Sequence, residues 1–346
     1  MSRMLEEIRQ QPETLARTLA SEWKRIEKFK AFLDRRRPRL VVLVARGTSD
    51  NAAQFGRYLI EICTGIPVSL AAPSVHTVYK AKINYKDTLV VAISQSGEST
   101  DTNMVLEHAR QSGAMTVGIT NEAKSSMANL AEHVFLVRAG REKSVAATKT
   151  YTGQLLMLYL IAYALGAKIK QPDLELIPEL ARTALTLESE VAALAERFRF
   201  MDHAVVVGRG LNYANAFEFA LKLMETTYTV AERFSSADFF HGPIAMVEPN
   251  FPLFLFAPSG PTWPSLLEML TKLKELKAET VVITDRKNPA AAGLAHRVIS
   301  IPAKIAELYT PIPYIIPAQL FSAALAKEKN LDPDKPRTLN KVTKTI

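Results

Sequence analysis

The segment Val91–Thr102, VAISQSGESTDT, gathers Ser94, Gln95, Ser96, Ser99 and Thr100 around Gly97, directly behind the apolar run Thr88–Ala92. Where a strand end turns into a helix, unpaired N–H groups and the positive pole of the helix dipole come together. Small hydroxyl side chains add donors there without blocking access, which suits an oxyanion such as phosphate. The plainer alternative is that Ser99 or Thr100 only caps the helix Asp101–Gln111, which stops at Gly113. The motif alone leaves both readings open.

The rest of the chain must position these residues. With 346 residues it has room for two domains, and 48% hydrophobic with 23% charged residues is a folded, globular composition. The opening MSRMLEEIRQQPETL carries charges throughout and has no apolar core, so no secretory signal is expected. The longest apolar run, Leu155–Ala167, is too short to span a bilayer and reads as a buried helix that needs covering. A single cysteine, Cys63, excludes an intramolecular disulfide and a CxxC metal site, and fits a reducing cytoplasm. The net charge of +8 is scattered. Its one dense stretch, DRRRPRL at 34–40, lacks interleaved aromatics and closes a charged helix, where cations complement the dipole. Neither nucleic acid nor membrane is expected as a partner.

The chain also repeats itself. Leu40–Tyr58 and His203–Lys222 each read as an apolar strand, an Arg-Gly turn and an amphipathic helix, and aligning Gly47 with Gly210 sets an offset of 163 residues. The same offset lays Gly97 on Gly260, and one residue more lays 115–121 on 280–285 and 132–137 on 296–301. Strands alternating with helices twice over predict an α/β fold: two tandem doubly wound parallel sheets, each a flavodoxin-like three-layer sandwich. Ligands in such sheets sit at the carboxyl ends of the strands, near the switch point. The first half keeps ARGTSDN and SQSGEST there, whereas the second has GRGLNY and APSGPT, with Pro258 and Pro261 removing donors. The oxyanion site is therefore expected in the first half. The expected organisation is a helical segment at 1–34, domains at 35–170 and 200–330, a helical connection at 171–199 and a tail at 331–346.

Taken together, SQSGEST, VAATKTYTGQL, ALKLMETTYTVAERFSSADFFHGP and DKPRTLNKVTKT resemble the sugar isomerase (SIS) family. More specifically they look like the isomerase half of glucosamine-6-phosphate synthase and its stand-alone relatives. The resemblance implies that Ser94, Gln95, Ser96 and Ser99 form the phosphate loop and that Ser49 also contacts the phosphosugar. It implies Glu225 as the proton-shuttling carboxylate, with Lys222 one helical turn before it. His241 takes the place of the ring-opening histidine, which in this family reaches into the neighbouring subunit. Lys341 takes that of the lysine that binds the open-chain carbonyl. Val145 and Ala147 match the loop lining the sugar, although Ala147 stands where the synthase has Ser. His76, His108, His133, His203 and His296 match no such position, and His108 is expected to face solvent.

Those residue types suit the chemistry, since proton transfer between two sugar carbons needs one carboxylate that reaches both. Ring opening needs a group that exchanges protons near neutral pH, which is histidine. The chain begins about forty residues before its first strand, and Cys63 lies inside the first repeat. Glutamine is thus not expected as nitrogen source. Arg46 and the SDNA, AATKTY and HGP variants resemble the SIS-type deaminases, implying conversion of glucosamine 6-phosphate to fructose 6-phosphate and ammonia. No cofactor or metal is expected, and a homodimer with shared sites is. A deglycase for fructosamine 6-phosphates, a galactosamine-6-phosphate deaminase or isomerase, and a non-catalytic sugar-phosphate sensor are the alternatives.

Overall fold

A strand buried on both faces of a parallel sheet reads as an unbroken apolar run, and both LVVLV and TLVVAIS are such runs. The computed structural model describes residues 2–339. It opens on α1 (Arg3–Arg9) and α2 (Gln11–Arg35), the latter ending within the arginine-rich stretch, as its last-turn cations predict. The chain divides into two compact units, each built on one five-stranded parallel sheet.

The first unit comprises Gln10–Glu142, Lys149–Leu176 and, among the described residues at the C-terminus, Leu339. After α2 its elements are β1 (Leu40–Val44), α3 (Thr48–Thr64), β2 (Val68–Leu70), α4 (Ser74–Thr77), β3 (Thr88–Ser94) and α5 (Thr100–Gln111). There follow β4 (Met115–Thr120), α6 (Ser126–Leu130), β5 (His133–Leu136), α7 (Lys149–Ala164) and α8 (Gln171–Glu175). The strand order β2-β1-β3-β4-β5 reverses direction between β1 and β3, the switch point of a flavodoxin-like sheet. Every residue of α7 except Tyr163 is buried. This corrects one expectation: the apolar helix needs no second chain to cover it, because α2 and α3 of its own unit do so.

The second unit comprises residues 2–9, Lys143–Thr148 and Ile177–Thr338. It therefore takes α1, together with α9 (Ile177–Leu185), α10 (Glu188–Arg197), β6 (His203–Gly208), α11 (Tyr213–Thr227), β7 (Val230–Ser235) and α12 (Ser236–Phe240). Its remaining elements are β8 (Pro252–Phe256), α13 (Trp263–Glu275), β9 (Glu279–Asp285), β10 (Arg297–Ile301) and α14 (Pro311–Glu328). Read from β7 the order is β7-β6-β8-β9-β10, the winding of the first sheet again, so the sequence repeat is a repeat of topology. Helix α14, almost wholly buried, packs on α9, α10 and α11. Among the described residues no helix is long and apolar enough to cross a membrane.

Candidate active site

In the first unit the switch point lies between the loops that follow β1 and β3, and both carry the residues singled out above. Gly97 adopts φ +67°, and a Cβ there would lie 2.2 Å from Ser125 Oγ and 2.9 Å from Thr120 Oγ1, so glycine is required. Its carbonyl accepts Met127 N–H and Asn103 Nδ2, each at 3.0 Å, which locks the turn against α6 and α5. The hydroxyls then fall into a pattern. Ser94 Oγ accepts Gly97 N–H at 3.1 Å and Ser96 Oγ accepts Glu98 N–H at 3.2 Å. A hydroxyl that accepts from the main chain still has its own proton to donate.

Ser99 occupies the N-cap position of α5 but makes no side-chain bond to the helix backbone; its Oγ lies 3.0 Å from Thr102 Oγ1. The capping alternative is thus not what the Ser99 side chain does, and the first-turn amides of α5 keep no intrahelical acceptor. Gln95 contributes its carbonyl to the loop, accepting Asn121 N–H at 3.1 Å. Glu98 is engaged elsewhere, its carboxylate taking Ser126 N–H at 2.9 Å and Ser126 Oγ at 2.6 Å. Those two hydrogen bonds hold it below the usual carboxylate range. Buried Ser49 accepts Gln154 Nε2 from α7 at 2.9 Å. Arg46, from the same turn, grips buried Asp101 of α5 through Nε at 3.0 Å and Nη2 at 2.6 Å, which ties the two loops together.

The equivalent loop of the second unit is already filled. Glu307 accepts Thr262 Oγ1 at 2.9 Å and Thr262 N–H at 3.3 Å, and a Cβ on Gly260 would lie 2.3 Å from its Oε2. Gly260 is the counterpart of Gly97, so an internal carboxylate stands where the first unit presents donors. The sequence indicated the asymmetry through Pro258 and Pro261, but not Glu307, which lies far along the chain.

The second unit carries a charged stripe on α11. Residues 218, 222 and 225 recur at helical spacing, so they share one face. Lys222 is fully buried, its Nζ 2.5 Å from Glu225 Oε2 and 3.4 Å from Glu218 Oε1. Burial alone would depress the ammonium, but Glu218 and Glu225 outweigh it and hold Lys222 above the ordinary lysine value. The Glu225 side chain is 20% exposed against 0% for Glu218, so of the two carboxylates only Glu225 reaches the surface. Glu218 was missed from sequence; its signal was the four-residue spacing from Lys222.

The helix ends at Tyr228, left-handed at φ +55°. Tyr228 holds the described part of the C-terminal motif: its OH accepts Arg337 N–H at 2.9 Å, and the Arg337 guanidinium stacks 4.3 Å from its ring. Lys341 itself lies outside the described residues. His241 follows α12, with its N–H bonded to Asp238 O at 3.1 Å and its side chain exposed. Val145 and Ala147 are half-buried in the loop before α7. His108 departs from expectation. It is half-buried, with Nδ1 3.3 Å from Nδ1 of buried His76, whose Nε2 lies 2.8 Å from Tyr85 OH.

The SIS domain profile matches residues 36–164 and again 198–328. Glutamine–fructose-6-phosphate aminotransferase (isomerizing) of Mycolicibacterium smegmatis is 36% identical over 98% of this chain. The chain spans only 56% of that relative's length. The solved C-terminal domain of glucosamine-fructose-6-phosphate aminotransferase from Francisella tularensis superposes with a TM-score of 0.87 at 28% identity, over 97% of this chain and 98% of that one. Glucosamine-6-phosphate deaminase from Thermotoga maritima shares the fold, with a TM-score of 0.76 at 22% identity over 99% of this chain and 100% of that one.

Proposed function

Since the chain belongs to the SIS family, whose domain it carries twice, we propose that it is an amino-sugar phosphate isomerase-deaminase converting glucosamine 6-phosphate to fructose 6-phosphate and ammonia. The observation that carries the reading is Glu225, a partly exposed carboxylate fixed by a fully buried lysine. Such a group is placed but not sequestered, as a proton shuttle must be. The phosphate is held by the Ser94–Ser99 loop and Ser49, whose hydroxyl protons and helix-terminal amides suit a dianion. His241 opens the ring, and Glu225 takes the proton from C2 and returns it at C1, leaving an imine at C2. Water hydrolyses that imine to the ketone and releases ammonia.

Lys222 stays protonated throughout and orients the base, while Lys341 binds the open-chain carbonyl. In this reading residues 35–170 bind the phosphosugar, residues 200–330 supply Glu225 and His241, and the enzyme is a cytoplasmic homodimer in which His241 serves the partner's site. Cys63 is no candidate nucleophile, because burial pushes its thiol up. Ammonia release from a panel of amino-sugar phosphates tests the assignment. Glucosamine 6-phosphate should be turned over and unphosphorylated glucosamine left essentially untouched. Release from galactosamine 6-phosphate or a fructosamine 6-phosphate alone would reassign the substrate, and comparable turnover of free glucosamine would remove the phosphate loop.

A further inference from the structure

Helix α1 is short, but it holds a buried acid. Glu7 is 4% exposed, and its two oxygens accept two consecutive main-chain amides, Lys143 N–H at 2.5 Å and Ser144 N–H at 3.1 Å. All of these groups belong to the second unit. The helix that carries Glu7 is pinned at both ends. Asp334 accepts Arg3 N–H at 2.6 Å and Met4 N–H at 2.9 Å, while Arg9 pairs with Glu188 through Nε at 2.9 Å and Nη2 at 2.5 Å. The gripped loop runs through Val145 and Ala147 to Thr148, whose carbonyl accepts Gln319 Nε2 from α14 at 3.4 Å. Residues 145–147 thus form a short span between two anchors, and the Glu7 anchor is the stronger because it is charge-assisted and double.

We infer that Glu7 is a positioning residue for the segment that lines the sugar. It touches neither substrate nor reacting atoms, but it sets the height at which Val145 and Ala147 meet the sugar body. The inference rests on the proposed function, which places those two residues at the sugar. The phosphate loop lies in the other unit and has its own anchors, so Glu7 governs affinity for the sugar portion and not for the phosphate.

Kinetics of the full-length Glu7→Ala and Glu7→Gln variants, with folding checked by thermal melting, test this. KM for glucosamine 6-phosphate should rise about tenfold in Glu7→Ala, the scale of one charged hydrogen bond. The kcat should stay within about threefold, and the inhibition constant of inorganic phosphate should not move. Should Glu7→Ala fail to fold, Glu7→Gln carries the same comparison, since its amide sets an N–H against one of the two main-chain donors. Native KM in a folded variant would overturn the inference. So would parallel weakening of sugar phosphate and inorganic phosphate, or a fall confined to kcat. If the wild type releases ammonia from no amino-sugar phosphate, the proposed reaction fails separately. Calorimetric affinity for fructose 6-phosphate relative to inorganic phosphate then decides the role of Glu7: selective loss of the former in the variants supports it, and equal loss refutes it.

Discussion

Lys222 and the two carboxylates around it carry opposite demands. A fully buried ammonium must be paired, whereas the proton shuttle of the proposed reaction must stay reachable; the i−4 neighbour Glu218 is fully buried and the i+3 neighbour Glu225 is partly exposed, which matches that division. Glu225→Gln keeps shape and hydrogen bonding but removes the base, so kcat should fall by about two to four orders of magnitude with KM little changed. Near-native kcat would take Glu225 out of the mechanism. Lys222→Met should instead cost stability, about 3–5 kcal/mol, because it removes the buried cation that pairs with Glu218. Chemical denaturation measures this, and Glu218→Gln in the same chain should recover part of the loss. The pH dependence follows in sign. A lysine raised by folding contributes stability that is complete below its unfolded value near 10.5 and fades as pH rises through the folded value. An alkaline loss of stability in the wild type that is unchanged in the Lys222→Met variant would contradict this.

At the scale of elements, two features of the first unit have distinct causes. The turn between β3 and α5 is set by Gly97, whose left-handed φ and contact with Ser125 leave no space for a methyl group. Gly97→Ala should therefore destabilise the protein by about 1–3 kcal/mol and raise KM for the sugar phosphate, because the loop that displays the hydroxyls must shift. Unchanged melting and unchanged KM would mean that the turn adapts freely. The packing of α2 on β5 depends on a histidine used as an aromatic, His133, with ring centroids 4.8 Å from both Phe29 and Phe32. Burial holds His133 below its ordinary value, with Glu132 only partly offsetting it, and buried His76 is shifted the same way by burial and by His108. A depressed histidine contributes stability that is complete above the unfolded value near 6.5 and is lost as pH falls through the folded value. Melting temperature should decline as pH drops below about 6.5, and His133→Phe should flatten the decline. An identical slope in that variant would locate the effect elsewhere.

At the scale of the whole molecule, the question is whether one chain completes its own site. His241 ends α12 with its side chain exposed, and the family resemblance sends its counterpart to a neighbouring subunit. Because α7 is covered within its own unit, the case for a dimer rests on His241 alone. Mixing Glu225→Gln chains with His241→Ala chains under subunit exchange should restore up to about a quarter of native activity, since one hybrid site then carries both native groups. Mixtures as inactive as either parent would show that each chain uses its own histidine.

The α/β class, the repeat and the Ser94–Ser99 loop were legible in the sequence because each is local. Apolar runs, turn glycines and hydroxyl clusters act through neighbours a few residues away, and the offset of 163 residues reports the duplicated winding directly. The family resemblance singled out Glu225 and His241 in the same way, through short motifs. Tertiary structure decided what depends on groups far apart along the chain. Glu307 fills the second loop from 45 residues beyond Thr262, Glu7 grips the loop before α7 from 136 residues before Lys143, and α2 with α3 covers an apolar helix that in the sequence had no visible partner. The physical reason is that a carboxylate must find its donors and an apolar face its cover, but nothing in the order of residues says which distant segment will provide them.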